Sequence, residues 1–158
     1  MKKFAAHYLL TDTGILLKNG IAVTDEDGFV VEYIDTKGDI QELEQMIFHS
    51  GLLLGAFELE RQQVPAISPF TEDLFQLQLI HLPANSDHIA LHQLMDTGKV
   101  MQRQFLHMTI PDLLNSMLTV LLTQAGYVKK PLPGLYLLTG LDRSGLHFTT
   151  ASRLKKIL

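Results

Sequence analysis

The chain has 158 residues, of which 46% are hydrophobic and 19% charged, and its 13 Lys and Arg stand against 17 Asp and Glu for a net charge of −4. This composition is too apolar for a disordered chain, and the acidic balance argues against a nucleic-acid partner. No apolar run approaches the ~20 residues that span a bilayer, and the lack of cysteine excludes disulfides and thiolate sites.

The first residues predict a β-strand. Their positive start and apolar stretch resemble a signal peptide, but His7 interrupts the stretch and Thr11 ends it. We therefore expect a strand over Phe4–Leu10 in a soluble, cytoplasmic protein with no membrane partner.

Short apolar segments separated by turn residues continue to about residue 54. Asn19-Gly20 lies between Ile15–Leu17 and Ile21–Val23, which is the pattern of a β-hairpin. An acidic turn, Asp25 to Gly28, precedes the next strand and is expected to be a solvated turn. Further strands are predicted over Phe29–Ile34, Met46–His49 and Leu52–Leu54, the last two separated by Ser50-Gly51. This part predicts a small β-sandwich or meander.

The middle of the chain changes to a helical period. A helix is expected to begin after Thr71 and to end before Pro83, and a second to run from Ser86 or Asp87 to a turn at Thr97-Gly98. Val100–Met108 is predicted to continue as helix. The clearest signal is Thr109, a cap residue followed by Pro111 and a Leu/Met stripe that we interpret as core, with Gly126 closing the helix.

The C-terminal part is predicted to be β again. A proline-containing loop over Lys129–Gly134 leads to a strand over Leu135–Thr139, and a final strand displays Arg153, Lys155 and Lys156. We interpret this basic strand as one that deters edge pairing. The order predicts an α+β single domain over residues 1–158, with a β part of 1–60 and 127–158 and an insertion of about three helices over 70–126.

Segments near both ends resemble one known family. Asn19-Gly20, the acidic turn at Gly28 and Ser50–Phe57 resemble the small β domain that opens metal-dependent amidohydrolases. Pro133–Leu138 and Leu146–Lys155 resemble the closing segment of that family, in which the chain returns to the β domain. The resemblance implies a composite β domain built from both ends of the chain.

The chain departs from this family where its chemistry would lie. Arg61 and Gln63 stand where the family has His-x-His, and neither is a substitute for an imidazole metal ligand. Only about 70 residues separate the two matching ends, whereas the family's (β/α)₈ barrel needs about 200 or more. The resemblance therefore implies a degenerate member without catalytic residues, metal or cofactor.

Histidines in the helical part are further candidate ligands, and Asp87 and Asp96 lie nearby in sequence. His88 and His92 are four residues apart, so on one helix they would share a face and could hold one metal ion. The alternative interpretation is a polar helix edge. Glu58 and Glu60 share a side of an extended segment, where a salt-bridged strand end competes with paired acid–base carboxylates.

Two functions follow from these observations. We favour a non-catalytic structural or interaction module that forms a homodimer or binds a protein partner, because loss of the barrel would expose β-domain surface. The alternative is a metal-dependent hydrolase acting on C–N bonds, or a ligand-binding protein. Its new site would be formed by four histidines: His81, His88, His92 and His107.

Overall fold

The fold of the described residues is α+β, as predicted, with eight strands in one open, mixed sheet and three helices. The computed structural model describes residues 1–39, 43–62, 71–80 and 87–158, and no barrel occurs in these ranges. None of the helices in these ranges is long and apolar enough to cross a membrane.

In the described residues, five strands precede the first helix, one strand lies between the first and second helices, and two strands follow the third helix. The strands are β1 (Lys2–Leu10), β2 (Leu16–Lys18), β3 (Ile21–Thr24), β4 (Val30–Ile34), β5 (Met46–Arg61), β6 (His88–Ala90), β7 (Tyr127–Thr139) and β8 (Arg153–Lys156). The helices are α1 (Leu74–Ile80), α2 (Leu91–Gln102) and α3 (Ile110–Thr123). The sheet order is β4-β3-β1-β5-β7-β8, with β2 also paired to β1 and β6 to β5. Strands from both ends of the chain thus enter one sheet.

The chain divides into two compact units. The first, the β unit, consists of Met1–Ala56, Pro131–Ser144 and Phe148–Leu158, and the second, the helical unit, of Phe57–Lys130 and Gly145–His147. The division falls inside β5 and β7, so each of these strands contributes to both units. The prediction of one domain over residues 1–158 stays a prediction.

In the β unit, β1 is central because it pairs in parallel with β5 and antiparallel with β2 and β3. Phe4 and Ala6 are buried in one hydrophobic cluster, and Ala5 is buried with Ile21 and Val23 in another. Successive residues of a strand point to opposite faces. The continuous apolar run of β1 therefore reflects burial on both faces.

The predicted hairpin at Asn19-Gly20 is wrong. Both β2 and β3 pair with β1 instead of with each other, and the tight turn lies at Thr11–Ile15, where the Thr11 amide donates to the Ile15 carbonyl over 2.9 Å. Asn19 has φ 53° and its amide donates to the His7 carbonyl over 2.8 Å. Asn tolerates the positive φ of the left-handed backbone region. It therefore allows a kink between β2 and β3, which both pair with β1.

The strands predicted around Ser50-Gly51 are one continuous strand, β5, of 16 residues. Gly51 has φ 135°, and a Cβ built there would lie 2.4 Å from the Leu138 carbonyl oxygen. The glycine therefore permits a close approach of backbone within the sheet and does not mark a turn.

The loop predicted over Lys129–Gly134 belongs to strand β7. Among the described residues, β8 pairs only with Tyr136–Thr139, so Pro131 and Pro133 lie on a part of β7 that β8 does not reach. Proline lacks an amide donor and is tolerated where a strand edge is open. The two prolines are thus compatible with strand β7, although they had led to the prediction of a loop.

The helix predicted from Thr109 starts as expected, whereas the helix predicted from Thr71 begins only at Leu74. At α1, the Asp73 carboxylate accepts from the Gln76 amide over 2.9 Å. At α3, the Thr109 hydroxyl accepts from the Asp112 amide, and the stripe below it is core, as predicted. Its buried members are Leu113, Leu114, Met117 and Leu121.

The second helix differs from its prediction at both ends. His88–Ala90 is strand β6, α2 begins at Leu91, and Thr97-Gly98 lies buried inside the helix and is not a turn. The Thr97 hydroxyl donates to the Gln93 carbonyl over 3.0 Å, which satisfies it within the helix, and α2 packs against α3. Burial of Thr97 and Gly98 against the rest of the protein outweighs the weak preference of these residues for non-helical conformations. The helix ends at Gln102, so most of Val100–Met108 is not helical.

Candidate functional site

The helical unit carries a charged sheet face formed by Glu58, Glu60, His88 and Lys130. In the register of β5 with β6, Glu60 lies opposite His88 and Glu58 opposite Ala90, while Leu59 pairs with Ile89. Leu59 and Ile89 are buried at 0% and 1% exposure. Because side chains alternate along a strand, burial of these two places the charged residues on the other face of the sheet.

The charged face is a connected set of ion pairs. The His88 imidazole contacts the Glu58 carboxylate through Nε2 and Oε2. Lys130 Nζ lies 3.7 Å from Glu58 Oε1 and 3.5 Å from Glu60 Oε1. His88 and Lys130 are about half exposed, whereas the Glu58 side chain is 17% exposed. Glu58 is therefore the centre of the set.

The hydrogen bond from His88 is the main reason why the pKa of Glu58 lies below its ordinary value. Partial desolvation acts in the opposite direction, and the charges of His88 and Lys130 add to the lowering. Each carboxylate thus has a cationic neighbour on an adjacent strand. Such cross-strand pairs on an exposed face stabilise a sheet modestly, and this is the role that the geometry supports for Glu58 and Glu60.

The histidines predicted as candidate ligands are distributed over different elements. His88 lies on β6 and His92 on the first turn of α2, so the premise that both share one helix face is wrong. His92 and His107 are exposed, and His81 lies outside the described residues. In the described ranges, no group of three or more His, Cys, Asp or Glu side chains is arranged to hold a metal ion.

Arg61, which the resemblance places at the position of a histidine, has a structural contact. Its Nη2 donates to the Tyr127 hydroxyl over 2.9 Å, and its Cζ lies 4.8 Å from the centroid of the Tyr127 ring. Tyr127 is buried, and this burial raises the pKa of its hydroxyl although the Arg61 charge opposes the shift. Arg61 therefore ties the end of β5 to the start of β7.

The residues at this place do not fit the metal ions of the resembled family. A permanently cationic guanidinium has no lone pair to offer and repels a cation. The Gln62 amide donates to the Gly126 carbonyl over 2.8 Å, which continues the backbone pairing, and Gln63 lies outside the described residues. No catalytic step through a metal can be built on Arg61.

Two residues of this region escaped the sequence analysis, Tyr127 and Lys130. Lys130 lies on the part of β7 that was predicted as a loop, and Tyr127 is the first residue of the predicted C-terminal β part, where no role was assigned to it. The sequence Tyr-Val-Lys-Lys over residues 127–130 does not alternate apolar with polar residues, so it gave no strand signal, although in the structure Val128 and Lys130 are exposed and Tyr127 and Lys129 are not. Lys129 supports this pattern, because its Nζ lies 4.4 Å from the centroid of the Phe57 ring.

A scan of the chain against protein-family models and a search of curated proteins found no match. The case for any function therefore depends on the residues and contacts described above.

Proposed function

We propose that the chain is a non-catalytic relative of amidohydrolases that acts as a protein-interaction module and forms a homodimer. The observation that carries the loss of catalysis is the contact between Arg61 and Tyr127. The side chain that the resemblance places at a metal-ligand position joins two strands, and its permanent positive charge repels a cation.

The composition of the β unit from both ends of the chain supports the same origin. We propose that the β unit corresponds to the sandwich-like or meander-like domain of the resembled family and that the three helices stand in place of its barrel. In support, β1 to β5 and β7 to β8 enter one sheet although the helices separate them in sequence.

The two ends of the sheet order indicate where a partner would bind. β4 and β8 are the terminal strands of that order. β8 carries Arg153, Lys155 and Lys156 within four residues, a density of charge that protects an edge from pairing. β4 carries one charged residue, Glu32, and its Val31 is 52% exposed. The edge of β4 is thus the less protected one.

A second copy of the chain is the partner that this edge fits. Two β4 strands can pair antiparallel about a two-fold axis, which closes the assembly at two subunits. If the axis passes at Val31, each Glu32 faces a Val30 of the other copy, and no like charges are opposed. Main-chain hydrogen bonds would supply the affinity, as in other cases of strand addition.

The test is the subunit number of charge variants measured by sedimentation velocity at micromolar concentration. Val31→Lys adds a second charge to β4 and is expected to give a monomer with unchanged circular dichroism. Val100→Lys is the matched control, because Val100 is 53% exposed but lies on α2. A monomeric wild-type protein, or a dimer that survives Val31→Lys, would overturn the dimer through β4.

A further inference from the structure

The pair Asn19-Gly20 in the β unit does not form the hairpin that its sequence indicates, and the structure requires each residue for a separate reason. Asn19 has φ 53°, a backbone conformation that asparagine adopts more readily than most residues. Gly20 lies where an added Cβ would be 2.9 Å from the Cβ of Leu17 and 3.0 Å from that of Leu9. The fold therefore places a carboxamide directly before a residue that has no side chain.

An asparagine that precedes glycine can react with its own main chain, because no side chain shields the glycine nitrogen. The main-chain nitrogen of Gly20 forms a bond to Cγ of Asn19, the bond from Cγ to Nδ2 breaks, and ammonia leaves with the amide proton of Gly20. Water then opens the cyclic imide at one of its two carbonyl carbons. The products are aspartate and isoaspartate, and in isoaspartate the main chain passes through the former side-chain carboxamide carbon.

The folded β unit holds Asn19 by hydrogen bonds that oppose this reaction. Asn19 is 9% exposed, and its Nδ2 donates to the Gly38 carbonyl over 2.7 Å. Its main-chain amide donates to the His7 carbonyl over 2.8 Å, and its carbonyl accepts from the Thr36 hydroxyl over 3.0 Å. Ring closure requires movement of both the carboxamide and the main chain, so these hydrogen bonds must break before the reaction can occur.

The turn over residues 35–38, which follows β4, supplies two of these hydrogen bonds. Thr36 is 3% exposed, so the turn closes over Asn19. The Lys37 amide donates to Asp35 Oδ1 over 2.9 Å, which holds the turn locally. Lys37 has φ 58°, however, and this conformation is unfavourable for a residue with a side chain. Opening of the turn relieves that strain and releases the Asn19 carboxamide.

Neither product fits the closed arrangement. In aspartate, an oxygen replaces the Nδ2 donor and faces the Gly38 carbonyl oxygen, so two acceptors meet at a buried position. In isoaspartate, the main chain gains one carbon between Lys18 and Ile21, which both pair with β1. The added carbon would have to be accommodated between two segments whose register on the same strand is already set.

We propose that Asn19 is a deamidation site that the 35–38 turn keeps closed and whose conversion prevents this turn from closing again. Opening of the turn is reversible before the reaction and irreversible after it. A long opening is thus converted into a permanent negative charge at Asn19. This proposal is independent of the dimer and of the origin of the fold.

The rate of conversion at Asn19, followed by peptide mass spectrometry at neutral pH, tests the proposal. In urea that unfolds the protein, Asn19 should convert to aspartate and isoaspartate. In the native protein the rate should be at least about 10-fold lower, because only the open fraction of the molecules reacts.

Three variants make the test specific. Thr36→Val removes the hydroxyl that donates to Asn19 and should raise the native rate by roughly 2- to 10-fold, with no change of the rate in urea. Thr109→Ala removes the cap of α3 in the helical unit and is the matched control, so it should leave the native rate unchanged. Asn19→Asp represents one product and should lower the Tm by roughly 3–8 °C.

Three results would overturn the proposal. One is a rate in urea that is no higher than the rate in the native protein, which would show that the fold does not protect Asn19. Another is an equal increase of the native rate in Thr36→Val and Thr109→Ala, which would assign the reaction to global unfolding. The third is an unchanged Tm in Asn19→Asp. If Thr36→Val does not fold, the first and third results still decide.

Discussion

The contact between Arg61 and Tyr127 makes a quantitative prediction about stability. Tyr127→Phe removes the hydroxyl that accepts from Arg61 and keeps the ring under the guanidinium. A hydrogen bond with a charged partner contributes about 1.5–3 kcal/mol, whereas the retained cation–π contact contributes about 0.5–1 kcal/mol. We therefore expect Tyr127→Phe to lower the free energy of unfolding by about 1.5–3 kcal/mol.

A double-mutant cycle separates this pair from the other contacts of the two residues. Arg61→Met already removes the hydrogen bond between Arg61 and the Tyr127 hydroxyl, so adding Tyr127→Phe to that variant cannot remove this bond a second time and should cost less than Tyr127→Phe alone. The coupling free energy, measured by urea unfolding of the four proteins, should be about 1.5–3 kcal/mol. Additivity within about 0.5 kcal/mol would refute a structural role for this hydrogen bond.

The same variant has a spectroscopic consequence. Burial raises the pKa of Tyr127, and the positive charge of Arg61 opposes that shift. Arg61→Met should therefore raise the pKa of Tyr127 further, measured as the tyrosinate absorbance that Tyr127→Phe removes. A pKa that stays unchanged or falls would contradict the electrostatic part of the argument.

Three further predictions concern single sites. Thr109→Ala removes the cap of α3 and should lower the free energy of unfolding by about 1 kcal/mol, measured by thermal unfolding. Thr119→Ala, inside the same helix, is the control and should change the free energy of unfolding little. Burial raises the pKa of Tyr33 from 10.0 to about 12, so its contribution to stability is complete below pH 10 and is lost as pH rises toward 12. Tyr33→Phe should therefore flatten the alkaline limb of stability against pH, and parallel curves would argue against this burial. The pKa of Glu58 is lowered mainly by its hydrogen bond from His88, so the stability it contributes is present above the ordinary carboxyl pKa and is lost as pH falls through the lowered value. His88→Gln should raise the pKa of Glu58 toward its ordinary value by carboxyl ¹³C NMR, and an unchanged pKa would refute the contact.

Caps and hydrophobic periodicity predicted the elements whose residues strongly favour one kind of secondary structure. The Thr109 cap and the Leu/Met stripe of α3 are such a case, because both the cap and the burial follow from neighbours in sequence. The order of strands, helices and strands likewise follows from the change of period along the chain. These features gave the fold class without any knowledge of long-range contacts.

The wrong predictions occur where the same residue type is found in more than one kind of local structure. Asn19-Gly20 and Gly51 permit positive φ, and a positive φ occurs at kinks and close approaches within a sheet as well as in hairpins. Thr97-Gly98 has a turn-like sequence that packing keeps helical. Which of these local structures forms depends on the strand or helix that packs against the segment. That strand or helix is distant in sequence.

The charged face could be predicted only in part for the same reason. Glu58 and Glu60 were identified together from their spacing of two, and a salt-bridged strand was one of the two interpretations. Their partners His88 and Lys130 lie 30 and 70 residues farther along from Glu58 and Glu60, respectively. His88 was assigned to a helix because Ser86 or Asp87 was interpreted as the cap of that helix, although His88 lies on a β-strand that ends before His92.

Native mass spectrometry of the untagged protein with added zinc tests the central claim most directly, because one spectrum reports both subunit number and bound metal. The account predicts a dimer that carries no zinc after buffer exchange. A stoichiometric zinc ion that is lost in His88→Ala or His92→Ala would contradict it and favour a histidine-based hydrolase or ligand-binding site.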